Sequence, residues 1–247
     1  GVQHFEYKTD SVKDTSYSFH SGTLEAIKAG INKFTMPVVG GFDGLDIQER
    51  EPYGQHVIES GEDSELESSA FYTLNRALDV ISDPEDIEMN LLAMPGIINR
   101  TLTDKMIDTC ENRADALAIV DLEEGYVPES DRSTGESAGV NLGSVTSTIT
   151  KLQERGINSS YACAYYPWVK ITDSLERASV WVPPSVVALG TMANSESTTE
   201  LWFAPAGFNR GGLSDGDSGL TVTGVRQKLR KKDRDELQDN NINPIAS

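Results

Sequence analysis

Apolar and polar positions divide the chain into a weakly patterned start and a strongly patterned remainder. Phe5 and Tyr7 alternate with polar neighbours, the period of a short strand. Leu24, Ile27 and Ile31 recur behind the candidate cap Ser21 and predict a short amphipathic helix. The apolar run at 34–39 stops at Gly40-Gly41-Phe42-Asp43-Gly44, a turn cluster, and residues 45–66 follow as an acidic connection with little hydrophobic period. From Ser68 the pattern strengthens. Phe71, Leu74, Leu78 and Ile81 form one helical stripe, ended by Ser82-Asp83-Pro84. Residues 90–94 predict a buried strand closed by Pro95-Gly96. Thr101-x-x-Asp104 has the form of a capping box, opening a helix with Leu102, Met106 and Cys110 on one face.

Residues 116–122 are a further apolar strand with Asp121 at its end, and 123–140 form a long loop rich in Ser, Gly and Glu. Val145, Ile149 and Leu152 mark the next helix, which Gly156 stops, and 161–165 give another strand. Strand and helix alternating at this spacing predict an α/β (mixed α+β) core: a layered, partly parallel sheet flanked by helices. Beyond it, Pro183-Pro184-Ser185 opens a helix reaching residue 193, Pro205-Ala206-Gly207 closes a short apolar run, and 220–225 form an edge strand. A short charged helix over 231–237 ends before Asn240-Asn241. Trp168, Trp181 and Trp202 are expected to pin these last strands to the helical layer.

The chain has 247 residues, 38% hydrophobic and 24% charged, a globular balance. No apolar run reaches about eighteen residues, which excludes a membrane-spanning helix. The start at Gly1, with no charged-then-apolar leader, reads as lacking a secretory signal and as a piece trimmed from something longer. With 39 acidic and 21 basic residues the net charge is −18, which disfavours nucleic acid and anionic membranes as partners. Charge is also segregated. Arg226, Lys228, Arg230, Lys231, Lys232 and Arg234 place six basic residues in nine positions, leaving 15 basic and 38 acidic residues elsewhere. Such a run is either a solvated helix face or an electrostatic contact for an acidic partner.

Candidate chemistry is sparse. Asp121 at a strand end is either a base or a carboxylate capping a loop. Gly40-Gly41-x-x-Gly44 lacks the Lys and following helix of a phosphate loop. Asp215-Gly216-Asp217-Ser218-Gly219 lacks the distal Glu of a calcium loop and reads as a solvated turn. His4, His20 and His56 are not spaced as metal ligands, and Cys110 and Cys163 suit two reduced, buried thiols. No metal, cofactor or catalytic set is expected.

Five strings, in order, resemble the contractile-tail sheath family of bacteriophages. They are the apolar run ending in Gly40-Gly41-Phe42-Asp43-Gly44; Tyr165-Tyr166-Pro167-Trp168-Val169; and Val182-Pro183-Pro184-Ser185 with Gly190 and Ala193 following. Then come Trp202-Phe203-Ala204-Pro205-Ala206-Gly207, and Asp235-Glu236-Leu237 followed by Asn241-Ile242-Asn243-Pro244-Ile245. The resemblance implies a structural subunit, not an enzyme, that polymerises with copies of itself around an inner tail tube. Contraction then drives the tube through the host envelope to deliver the genome. It implies a virion protein assembled in the bacterial cytoplasm, with Lys228, Arg230, Lys231, Lys232 and Arg234 facing the tube. Residues 1–45 are expected to end a preceding outer domain, and 46–247 to form the sheath core. Without the terminal arms that link family members, this stretch is expected to be monomeric in dilute solution. A pyocin or type VI secretion sheath is the nearest alternative; an α/β ligand-binding domain or enzyme using Asp121 is the alternative of another class.

Overall fold

The structure, a computed structural model, describes residues 4–7, 15–18, 53–54, 58, 68–123, 144–173, 178–200, 202–207 and 210–246. The chain divides into two compact units, Gly1–Asp43 and Gly44–Ser247. In the first, β1 (His4–Tyr7) and β2 (Thr15–Ser18) form an antiparallel hairpin with Phe5 opposite Tyr17. The expected helix at 24–31, the run at 34–39, Gly40, Gly41, Asp43 and Gly44, most of the acidic connection at 45–66, and the loop at 124–140 lie outside the described residues.

The second unit is α/β. Its centre is a parallel sheet in the order β3 (Leu91–Ala93), β4 (Leu117–Val120), β5 (Ala162–Tyr166), β9 (Asn243–Pro244). Helices α1 (Ser69–Val80), α2 (Arg100–Arg113), α3 (Val145–Arg155) and α5 (Lys231–Asp239) precede these four strands in turn. A second sheet is antiparallel, with β6 (Val169–Thr172) between β7 (Ser179–Val182) and β8 (Val222–Val225). Helix α4 (Pro184–Thr198) lies between β7 and β8 in sequence. Among the described residues no helix is long and apolar enough to cross a membrane.

Apolar stripes become core where the period predicts. Phe71 and Leu78 of α1 pack with Leu102, Met106 and Cys110 of α2 over Ala118 and Val120. Ile149, Ala164, Leu237 and Ile242 form a second cluster, and Val169, Ile171 and Val187 a third. Caps are partly as expected. Ser68 accepts the Phe71 amide, and Gly156, at φ 64°, ends α3. Helix α2, however, starts at Arg100, and its cap is Asn99, which accepts the Leu102 amide at 3.0 Å. Thr101 therefore sits inside the first turn, and the Thr101-x-x-Asp104 box is not used. Strand β3 is half-buried rather than buried, because it edges its sheet. Helix α4 continues to Thr198, beyond residue 193, since nothing in the sequence there breaks it.

Candidate functional site

Tyr166-Pro167-Trp168 is the junction where the parallel sheet hands over to the antiparallel one. Tyr166 is 2% and Trp168 6% exposed. The Tyr166 hydroxyl donates to Gln227 Oε1 at 2.6 Å. Its carbonyl accepts the Ile245 amide at 2.7 Å, and the Trp168 carbonyl accepts the Arg226 amide at 2.8 Å. Tyr166 and Trp168 thus hold both the start of the basic segment and the last described strand. Burial pushes the Tyr166 phenol up to about 12, with the Asp233 carboxylate adding repulsion and Arg226 opposing it.

From that anchor the basic segment turns outward. Leu229 and Leu237 pack into the second cluster, and this fixes which side faces water. Lys228, Arg230, Lys231 and Lys232 are exposed, and Arg234 is half-buried. Arg226 turns inward instead, its guanidinium 5.5 Å from the Trp181 ring centroid, with Lys170 at 5.9 Å from the same ring. Four cations elsewhere are paired: Arg100 with Glu123, Lys105 with Asp79, Arg113 with Asp115, Arg155 with Asp104. Lys228, Arg230, Lys231 and Lys232 pair with no other described residue. Only the Arg230 amide is answered, by Asp233 Oδ2 at 2.9 Å.

This placement opposes the helix macrodipole. Lys231 and Lys232 open α5, where partial positive charge already stands, and Asp239 closes it. Each reversed charge costs about 0.3–1 kcal/mol when exposed.

Asp121 takes the capping role. It is 2% exposed, and its Oδ2 accepts the Ser185 hydroxyl at 2.7 Å and the Gly96 amide at 2.9 Å, while Oδ1 accepts the Ser185 amide at 3.2 Å. Pro183 has no side chain to cap α4, and Pro184 occupies its first turn. A carboxylate from the end of β4 does the work instead, so Ser185 is not the cap. Burial raises the Asp121 carboxyl above the ordinary range, against the pull of the three donors. With its oxygens occupied and water excluded, this group is a structural tie between β4, the turn at Gly96 and α4.

The turn at Asp215–Gly219 is likewise structural: Asp215, Gly216 and Gly219 are exposed, as a solvated turn requires, while Ser218 is buried. Asp217 Oδ2 accepts the Gly212 amide at 2.8 Å, and the Ser218 backbone lies against Gly190 of α4. Trp202 corrects the expectation for the tryptophans: it is 77% exposed and pins nothing, while Pro205 beside it is half-buried. Among the described residues no cluster of His, Cys, Asp or Glu is arranged to hold a metal. Cys163 is half-buried, not buried, and burial lifts its thiol to about 11.

The sequence reading missed Gln227, Asn99 and the contact of Gly190 with Ser218. Single polar residues and glycines carry no periodicity, so only the proximity of their partners reveals them.

No protein-family model matches the chain. It is 26% identical over 182 residues to the tail sheath protein of Vibrio phage KVP40, covering 68% of this chain and 26% of that protein. It is 29% identical over 90 residues to the tail sheath protein of Enterobacteria phage T4, covering 36% of this chain and 13% of that protein. Among solved structures it resembles a cryo-EM structure of the anti-feeding prophage baseplate, at TM-score 0.43 and 19% identity, covering 70% of this chain and 38% of that one. The anti-feeding prophage helical sheath in its contracted state gives TM-score 0.40 and 20% identity, covering 73% and 40%. The chain thus spans about a quarter of the length of the KVP40 protein and less of the T4 protein. In its five ordered strings and in these two sequence matches, the chain is similar to contractile-tail sheath proteins.

Proposed function

We propose that this chain supplies the core of a sheath subunit of a contractile phage tail. Copies pack side by side around an inner tube in an extended state, and their contraction drives the tube through the host envelope. The observation that carries this is the sequence match to a tail sheath protein along 182 residues. Residues 46–247 are the core on this reading, and 1–45 the end of a preceding outer domain. The subunit is a virion component assembled in the host cytoplasm, and it acts by packing rather than by catalysis. Asp121, the one catalytic candidate raised by the sequence, is shielded and engaged by three donors.

Lys228, Arg230, Lys231, Lys232 and Arg234 are the tube-facing residues in this account. Exposed ion pairs contribute about 0.2–1 kcal/mol each, so several together hold while any one releases easily. That suits a sheath that must grip and then let go. The test is charge reversal at Lys228, Lys231 and Lys232 in the sheath protein. Sheath assembly on tubes should fall sharply and become less sensitive to salt; normal tails would sink the assignment.

A further inference from the structure

Two surfaces of the described domain are left over: an exposed aromatic stack and an apolar groove. Trp202, although 77% exposed, is held in place. Its indole packs on Phe203 with ring centroids 4.3 Å apart and planes 31° from parallel, and the Arg210 guanidinium sits 4.3 Å from the Phe203 centroid. Trp and Arg are the residues that most often dominate protein–protein binding. Ordering them beforehand removes part of the cost of docking.

The groove, of about 420 Å³, opens between α3, the C-terminal end of α5 and the parallel sheet. Leu152, Ile157, Ala162 and Ala164 line it, with Asn158 and Asp239 at its rim. Asp239 is exposed and pairs with no described cation. The groove offers no reactive group, because burial keeps the Cys163 thiol protonated up to about 11.

We propose that the Trp202–Phe203–Arg210 stack of one copy docks in this groove of a second copy, with the indole on the apolar floor and Arg210 toward Asp239. The complementarity is twofold, apolar against apolar and cation against anion, and both halves are present on every copy. The two surfaces are different, so the contact is heterologous. Each copy offers one knob and one groove, and association runs head to tail into a ring or an open helix. Two chains of charge −18 repel at long range, so added salt strengthens this contact by screening. Salt acts in the opposite sense on the contact made by the basic segment. The docking stands on surfaces of this chain alone, so its failure leaves the sheath reading untouched.

The test is sedimentation of the wild type, W202A and D239R, at increasing protein concentration up to about 1 mM. Both substitutions are at exposed positions, and thermal melts check that both variants are folded. The wild type should associate, more strongly at higher salt. W202A should weaken association about thirtyfold, the size of a hot-spot loss, and D239R roughly tenfold. An equimolar mixture of the two variants retains one intact groove and one intact knob, so it should form dimers and stop there. A wild type that stays monomeric, a W202A protein that associates normally, or a mixture that fails to dimerise would each overturn the proposal.

Discussion

The Tyr166 hydroxyl donates to Gln227 Oε1 at 2.6 Å, so the buried end of the parallel sheet holds the first turn of the exposed basic segment. Tyr166→Phe should cost about 0.5–1.5 kcal/mol of stability, the net value of one such bond. Denaturant melts of Tyr166→Phe and Gln227→Ala should show similar losses. The double variant should lose little more than either alone, because the two side chains share one interaction. Additive losses would place the stabilisation elsewhere.

Alkaline pH should unfold the domain through its tyrosines. Burial lifts both Tyr165 and Tyr166 to about 12, whereas an unfolded tyrosine ionises near pH 10. A phenol whose folded pKa is raised contributes stability that is full below pH about 10 and lost as pH rises toward about 12. Thermal midpoints should therefore decline over that window, and the share of phenolate absorbance that belongs to Tyr165 and Tyr166 should appear only as structure is lost. Free titration of all eight tyrosines near pH 10 in the folded protein would contradict this.

Asp121→Ala should be among the more damaging single substitutions, at about 2–4 kcal/mol. It strands the Gly96 and Ser185 amides without their acceptor, and each unsatisfied buried donor costs about 1–3 kcal/mol. Chemical denaturation gives the number directly, and a loss within error of zero would remove Asp121 from the architecture.

Gly190→Ala should destabilise by about 1–3 kcal/mol through overpacking. A Cβ at Gly190 would stand 2.1 Å from the Ser218 carbonyl oxygen, a backbone atom that cannot swing aside. Hydrogen exchange should speed up selectively across residues 213–219 and in α4. A variant as stable as the wild type would show that this turn is not docked.

Long apolar periods made much of this fold legible in the sequence. Phe71-Leu74-Leu78 and Val145-Ile149-Leu152 became core stripes, and the three main parallel strands are where the apolar runs put them. Local rules failed where a distant group did the capping. Ser185 looks like a cap, yet Asp121, sixty-four positions away, fills that role. Trp202 shows the limit of reading aromatic content as burial. Its size predicts core, but exposure depends on what the rest of the chain leaves uncovered, which no window of sequence records. The basic run was visible as composition; the structure adds that Leu229 and Leu237 face inward and turn the lysines out.

Replacing Lys231 and Lys232 with Glu should raise the stability of the isolated domain, by about 0.3–1 kcal/mol per position, because the new charges complement the dipole of α5. The same double variant should assemble poorly. Stability and assembly moving in opposite directions would mark these lysines as kept for a partner, and a fall in both would mark them as structural.

The most direct measurement is a cryo-EM reconstruction of an assembled tail carrying the sheath protein that contains this chain. The account predicts density for the described domain repeated in the sheath wall, with the N-terminal end of α5 and Lys228 against the tube. A sheath wall without this domain, or a tube contact made by another face, would contradict it.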